Sequence, residues 1–523
     1  MTMKPRLFLL FIAFLSFFSS TLSNTIPSHG VDYWCDKTPH PEPCKHFMKI
    51  NRENFEPKHS NDFRQKSLQL TMERAMIAQS HNKHLVSKSR SENEKAAWTD
   101  CLKLYEDTII QLNKTLDPNT KSTGFDQQIW LSAALTNIET CRTGFIEMGV
   151  SDYMLPLMSK NVSQLISNTL SLHNVFSIRP ETYKSGFPNW VKVGDRKLLQ
   201  RAYITADLVV AQDGSGDHTT IQAALDVAAE RSRSEKFMIY IKRGLYEENL
   251  EIGNNLKNIM LVGDGLKHTI ISGSKSFGCS GGGYSTFNSA TVAVTGEGFI
   301  ARGITFRNTA GPKKCQAVAL RSGSDRSIFY RCGFVGYQDT LYVHSQRQFY
   351  KNCHIYGTID FIFGDAAVVL QNCMIFARRP MHGQSNAITA QSRANPNQTT
   401  GIIIQNSRVM AAPDLVPVLS KVKTFLGRPW KEYSRTVFMC TFLDTLVDPA
   451  GWLEWDGDFG LDTLYYGEYN NFGPGASTSG RVKWGGYRVI NSSTEASMFT
   501  VENFISRDLW LPDTGVPFTA GLY

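Results

Sequence analysis

RCGFVGYQDTLYVHSQRQFYKNCHIYGTIDFIFGDAAVVLQNCMI, residues 331–375, carries one short phrase three times. Arg331-Cys332-Gly-Phe334 returns as Asn352-Cys353-His-Ile355 and again as Asn372-Cys373-Met-Ile375. Asn406-Ser407-Arg-Val409 and Met439-Cys440-Thr-Phe442 read as later copies, set apart by insertions. A period of about 20 residues with one β-rich run per copy predicts a parallel β-solenoid. Its coils stack at the inter-strand spacing of about 4.8 Å. Cys332, Cys353 and Cys373 then stand in a ladder on consecutive coils, where only two of the three can pair with each other. Shorter β-like runs precede the repeat, at Ala206–Gln212, Met238–Ile241 and Ile259–Val262. An amphipathic helix near Thr220–Ala229 is expected to close one end, and the aromatic tail with Trp510, Phe518 and Tyr523 to cover another surface.

Upstream of about residue 195 the period changes. Trp98, Cys101, Leu102, Tyr105, Ile109, Leu112 and Leu116 recur at helical spacing, as do Leu131, Leu135, Ile138 and Cys141, and Val162, Leu165, Ile166 and Leu170. An antiparallel bundle buries such stripes. Four cysteines there allow three pairings. The short Pro-rich loop between Cys35 and Cys44 suggests a local bridge, which leaves Cys101 and Cys141 to tie two helices. A turn-rich linker, FPNWVKVGDRKLLQ at 187–200, contains the basic pair of Arg196-Lys197-Leu198-Leu199, read as a processing site. Lys4 and Arg6 followed by the apolar run Leu7–Phe18 and small residues have the layout of a secretory signal. The expected division is a signal at 1–23, a helical pro-region at 24–186, a linker at 187–199 and a β-helical domain at 200–523. Sequons at Asn113, Asn161, Asn397 and Asn491 become glycosylation candidates on the secretory route.

Composition sets outer bounds. With 42 % hydrophobic and 20 % charged residues the chain is neither disordered nor, lacking long apolar runs beyond the N-terminus, a multi-span membrane protein. The formal charge is +8, but from Gln200 onward 31 Lys and Arg face 28 Asp and Glu, too even for a nucleic-acid stripe. HExxH, tandem CxxC and phosphate-loop motifs do not occur. Gly278-Cys-Ser-Gly-Gly282 fits G-x-S-x-G, but glycines and a β-like run follow where a nucleophile elbow needs a helix.

The densest polar cluster is Gln338-Asp339 in GYQDTLY and Asp360 in GTIDFIFG. The two aspartates are one repeat apart, so a solenoid sets them on adjacent coils. Carboxylates that close have their pKa values pushed apart, giving one proton donor and one ionised group. Arg428 in FLGRPW is the natural counter-ion for one of them. Trp430, two residues on, offers a platform for a sugar ring. Gln316 and Gln338 are candidate amide donors to an oxyanion. These parts alone leave two reactions open, a retaining glycosidase and an acyl transfer through a carboxyl nucleophile.

GYQDTLY, GTIDFIFG, LGRPW, CQAVALR, PAGWLEW and TLYYGEY together resemble the plant pectin methylesterases, and LTNIETC around Cys141 with the paired cysteines resembles the inhibitor-like pro-region of such enzymes. The resemblance covers nearly the whole chain after the signal. It implies an all-β, right-handed parallel β-helix preceded by an all-α bundle. It implies hydrolysis of methyl esters of homogalacturonan, with Asp360 as nucleophile and Asp339 as general acid and base. Gln338 and Gln316 would hold the oxyanion and Arg428 would orient Asp360. Thr286, Gln316, Arg428 and Trp430 would touch substrate. Cys353 and Cys373 would form the disulfide of the family, leaving Cys332 free. No metal or organic cofactor is implied. The expected partners are pectin, a proteinaceous inhibitor and a processing protease, with no nucleic acid, and the enzyme would be a secreted, monomeric cell-wall protein. Three positions depart from the family pattern: Cys315 where His is common, Asp365 where Asn is common, and His218 in place of an aromatic. Asp365, if it points inward, would raise a catalytic pKa.

Overall fold

The computed structural model describes residues 30–50, 55–89, 91–150, 155–173, 206–231, 235–279, 283–505 and 510–522. The expected signal segment and the linker with Arg196–Leu199 lie outside them. Two short helices, α1 (Val31–Cys35) and α2 (Pro41–Ile50), precede a bundle of α3 (Ser60–Val86), α4 (Glu92–Leu116), α5 (Gly124–Glu147) and α6 (Leu155–Leu172). Local chemistry fixes their starts. The Ser91 hydroxyl accepts from the Glu94 N–H ahead of α4, and Thr123 and Asp126 form a reciprocal capping box at α5. Disulfides join Cys35 to Cys44 and, between α4 and α5, Cys101 to Cys141.

Every residue of α5 from Gln128 to Ile138 is buried. A helix covered on one side by its own bundle keeps an exposed polar face; along this stretch α5 has no exposed face, because a second domain covers the other side and meets its polar residues, Thr136 among them, with hydrogen bonds. That domain is a parallel β-helix of three sheets, with eleven, seven and eight strands, every pairing between neighbouring coils being parallel. Its interior is filled by Val, Ile, Leu and Phe from successive coils, Phe306, Phe329, Phe334 and Tyr350 among them. No residue of the bundle contributes to that core. Helix α7 (Ile221–Ala229) sets Ile221, Leu225 and Ala228 into it, and the Glu248 carboxylate accepts from the Ile221 and Gln222 N–H groups at the helix start. Trp510 and Phe518 of the tail pack on the outer face of the eleven-stranded sheet.

The repeat phrase marks a corner. Arg331, Asn352, Asn372 and Asn406 have φ between 49° and 58°, the left-handed region in which Asn is tolerated best. The last copy is shifted by one residue from the sequence reading. Gln405 pairs with Met439 and Val409 with Leu443, so the corner residue is Cys440 and the ladder continues through Ser407 into Thr441. Cys332, Cys353 and Cys373 do stack on consecutive coils. The expected Cys353–Cys373 bridge, however, is not formed: both are buried thiols, as is Cys332. In a parallel stack the three Cα–Cβ bonds point inward side by side, and each sulfur instead finds carbonyl oxygens on its own and the preceding coil. Cys353 Sγ donates to Phe329 O at 3.2 Å and Cys373 Sγ lies 3.7 Å from Tyr350 O. The bridge the β-helix does contain joins Cys279 to Cys315, which accounts for the cysteine standing at 315.

Candidate active site

The seven-stranded sheet, Leu250–Ile252, Val292–Val294, Leu320–Ser322, Leu341–Val343, Ile362–Gly364, Asn386–Gln391 and Thr424–Gly427, forms the floor of the site. Leu341 pairs with Ile362, so Asp339 and Asp360, each two residues earlier, occupy equivalent places on adjacent coils. Both take left-handed backbone angles, φ 61° and 50°, at the corner entering the sheet. Non-glycine residues in that region are costly and cluster at functional sites. The Asp339 N–H donates to Ile359 O at 3.0 Å, which ties the two corners together.

Arg428 enters from the last strand of the sheet. Its Nε donates to Asp360 Oδ1 at 2.8 Å and its Nη2 to Oδ2 at 2.6 Å, a two-pronged ion pair. The guanidinium lies 4.4 Å from the Trp455 ring centre. Asp339 has no such partner. Burial and then the Asp360 and Glu147 charges push its carboxyl well above the usual range, against the pull of Arg428. Burial also raises Asp360, but Arg428 opposes it directly. Of the two, Asp339 therefore holds a proton the more strongly and Asp360, opposed by Arg428, ionises the more readily. Gln316 and Gln338 are half-buried. The Phe277 N–H donates to Gln316 O and the Ala317 N–H to Gln338 O, which sets their two segments side by side.

Around the pair the floor is aromatic. Tyr342 stacks on Phe363 at 4.2 Å, and Trp430 lies 5.9 Å from Phe363 and 6.4 Å from Trp455. Sequence reasoning found Trp430 but missed Tyr342, Phe363 and Trp455, because single aromatics in β-runs look like core. Thr286 is buried and its N–H donates to Glu147 Oε2 at 3.2 Å. Glu147 belongs to α5, and no signal in its own neighbourhood marked it.

The bundle covers this floor. Leu104, Leu131, Leu135, Ile138 and Phe145 share one apolar cluster with Phe287, Tyr342, Phe363 and, at its margin, Trp430. Polar contacts ring the seam. Lys103 pairs with Glu251, Lys114 with Glu297, and the buried Arg347 joins Asp126 of α5 to Asp325. Thr140 Oγ1 meets His344 Nε2 at 2.9 Å, and Asp100 and Asp107 of α4 bond to Ser285 and Asn254. Asp365 points into the seam rather than at the Asp339–Asp360 pair. It accepts from Thr136 of α5 at 2.6 Å, from Gln391 at 3.0 Å and from Gln398 and Thr400, and burial pushes its carboxyl up to about 7. Asn113 and Asn491 are exposed, Asn161 and Asn397 half-buried. Among the described residues no helix is long and apolar enough to cross a membrane.

Residues 207–508 match the family described as Pectinesterase, and residues 30–172 that described as plant invertase/pectin methylesterase inhibitor. The chain is 61 % identical over 492 residues to Pectinesterase 2 of Citrus sinensis, spanning 94 % of this chain and 95 % of that one. It is 59 % identical over 493 residues to the probable pectinesterase/pectinesterase inhibitor 17 of Arabidopsis thaliana, with 94 % of each chain covered. Among solved structures, pectin methylesterase from carrot is 57 % identical with a TM-score of 0.60; 62 % of this chain accounts for 100 % of that one. The chain belongs to the plant pectinesterase/pectinesterase inhibitor family, an inhibitor-type helical domain joined to a pectinesterase domain, and is a carboxylic ester hydrolase acting on pectin.

Proposed function

We propose that the enzyme cleaves methyl esters of homogalacturonan through a covalent acyl-enzyme on Asp360. The observation that carries this reading is the asymmetry of the carboxyl pair: Asp360 is gripped by Arg428 through two hydrogen bonds, while Asp339, on the next coil, is not. An Asp360 oxygen attacks the ester carbonyl carbon. The carbonyl π electrons move to oxygen, and amide N–H groups of Gln316 and Gln338 stabilise that oxyanion. Collapse expels the methoxy group, which takes the Asp339 proton and leaves as methanol. The product is an anhydride between Asp360 and the galacturonyl carbon. Asp339, now ionised, takes a proton from water, whose oxygen attacks that carbon. The second collapse restores the Asp360 carboxylate and leaves a galacturonic acid in an uncut polymer. Thr286 and Trp430 contact the sugar chain in this reading.

The bundle supports a second part of the proposal. It occupies the sheet along which a polymer would lie, so the full chain is latent until the linker is cut near Arg196–Leu199. The disulfides of both domains fit secretion to the cell wall. The test of the chemistry is methanol release from highly methylated pectin by the segment Gln200–Tyr523. The parent releases methanol at constant polymer length. Asp360→Ala releases none, and Asp339→Asn falls by about 10²–10⁴-fold, the usual share of a general acid. Methanol from folded Asp360→Ala at the parental rate contradicts the nucleophile assignment; shortened polymer contradicts the reaction.

A further inference from the structure

Arg321 lies in the cleft sheet, in the strand Leu320–Ser322, third of seven from the Leu250–Ile252 edge, and its role is not explained by the chemistry above. Its side chain is 2 % exposed, yet Nε and Nη1 have no hydrogen-bond partner. The guanidinium rests 3.5 Å from the centre of the Phe287 ring. No ion pair reaches it among the described residues. A buried guanidinium without its hydrogen bonds is costly and needs a reason.

Register supplies one. Arg321 pairs laterally with Ala293 on one side and Tyr342 on the other, and Tyr342 with Phe363. Phe363 in turn pairs with Ala390. These residues form one row along the helix axis, a step of about 4.8 Å per coil. Tyr342 and Phe363 follow Asp339 and Asp360 by three residues on their own coils. Arg321 is therefore one coil beyond the general acid and two beyond the nucleophile. The stretch Ala293, Tyr342, Phe363 and Ala390 is small or aromatic, suited to neutral methyl-esterified sugars, and Glu251 stands at its far end. Within that stretch Arg321 is the one cation, and a neutral ester opposite it would leave only Glu251, further along the row, to answer the charge.

The docked bundle shows what answers it. Glu251 of the β-helix and then Asp100 and Asp107 of α4 are the acids acting on Arg321, and none of them closes into an ion pair. The pro-region thus sets carboxylates above the place where a sugar acid would lie. Glu251 stands in the same row beyond Ala293 and is held by Lys103.

We propose that Arg321 is a specificity residue that binds the free carboxylate of a galacturonate one or two sugars away from the ester being cleaved. This rests on Asp360 as the reacting carboxylate, and the test separates the two.

The segment Gln200–Tyr523 is suited to that test, since its core contains no bundle residue and the carrot enzyme corresponds to this part alone. Two defined oligogalacturonides are compared by methanol release, one fully methyl-esterified and one with a single ester flanked by free acids. The parent favours the second in kcat/KM by about tenfold, the worth of one charge-assisted pair. Arg321→Gln brings that ratio close to one, chiefly through KM, and Arg321→Lys, which keeps charge without the fork, falls between. A ratio in Arg321→Gln equal to the parent's overturns the proposal, whatever happens to total activity. So does a parent without preference, which decides the matter even where a variant fails to fold. Loss of all methanol release in the parent would instead strike the reaction itself.

Discussion

Asp339 and Asp360 are chemically the same group, and only their surroundings set them apart. Burial raises both, and the difference is Arg428, which faces Asp360 with two short hydrogen bonds. Removing that cation leaves burial unopposed, so the Asp360 pKa rises further in Arg428→Ala. In the proposed mechanism Asp360 attacks in its ionised form, whose fraction at a given acidic pH then shrinks. The acid limb of the kcat/KM profile moves to higher pH, and the rate falls by at least about tenfold, one pKa unit's worth of free energy. An acid limb unmoved in a folded variant would mean Asp360 is not the group that titrates there. The pair was legible in the sequence because its spacing equals the repeat and because GYQDTLY and GTIDFIFG are long motifs. Glu147 and Arg321 were not, since a single charged residue reads as surface until the fold shows what covers it.

At the scale of elements the β-helix is a periodic object, and the period was readable because each coil needs a left-handed corner that Asn fills most easily. The slip at Met439-Cys440 has the same cause. Once Cys takes the corner and Thr the ladder, the Asn-Cys phrase no longer marks the register. Helix α5 was found from Leu131, Leu135, Ile138 and Cys141, but its full burial was not, because two domains share it. The cysteine pairing was the clearest departure. Four thiols remain at Cys332, Cys353, Cys373 and Cys440, with Cys279 and Cys315 bridged. Alkylation of the denatured, unreduced chain followed by mass spectrometry is expected to label those four. Label on Cys332 and Cys440 only would restore the Cys353–Cys373 bridge.

On the scale of the whole molecule the sheet that holds the Asp339–Asp360 pair is also the seat of the bundle. The seam is unusual in its acids. Burial pushes Asp100 and Asp107 up to about 6 and Asp365 to about 7, with Ser285, Asn254 and Thr136 as their nearest partners rather than cations. Arg321 and Glu251 face both α4 acids at longer range, with Lys103 facing Asp100 and Glu106 facing Asp107, and Arg393 faces Asp365. A carboxyl whose pKa is higher docked than free takes up a proton on docking, so the grip is strongest below these values and weakens as pH rises through about 6 to 7. Asp126 works in the opposite sense. Burial raises it, but Arg347 and the Thr123 contacts outweigh this and hold it low, so its contribution is lost only as pH falls below the usual carboxylate range. A chain cut in the linker is accordingly expected to run as one particle near pH 5 and as two near pH 8 in gel filtration. Two particles at pH 5 joining at pH 8 would reverse the sign. The most direct measurement of the account is methanol release by the full chain with Arg196 and Lys197 replaced by Ala, beside the segment Gln200–Tyr523. A silent precursor beside an active segment is the predicted result. A precursor as active as the segment would contradict it, because the cleft beneath the bundle could then not be where the ester is cleaved.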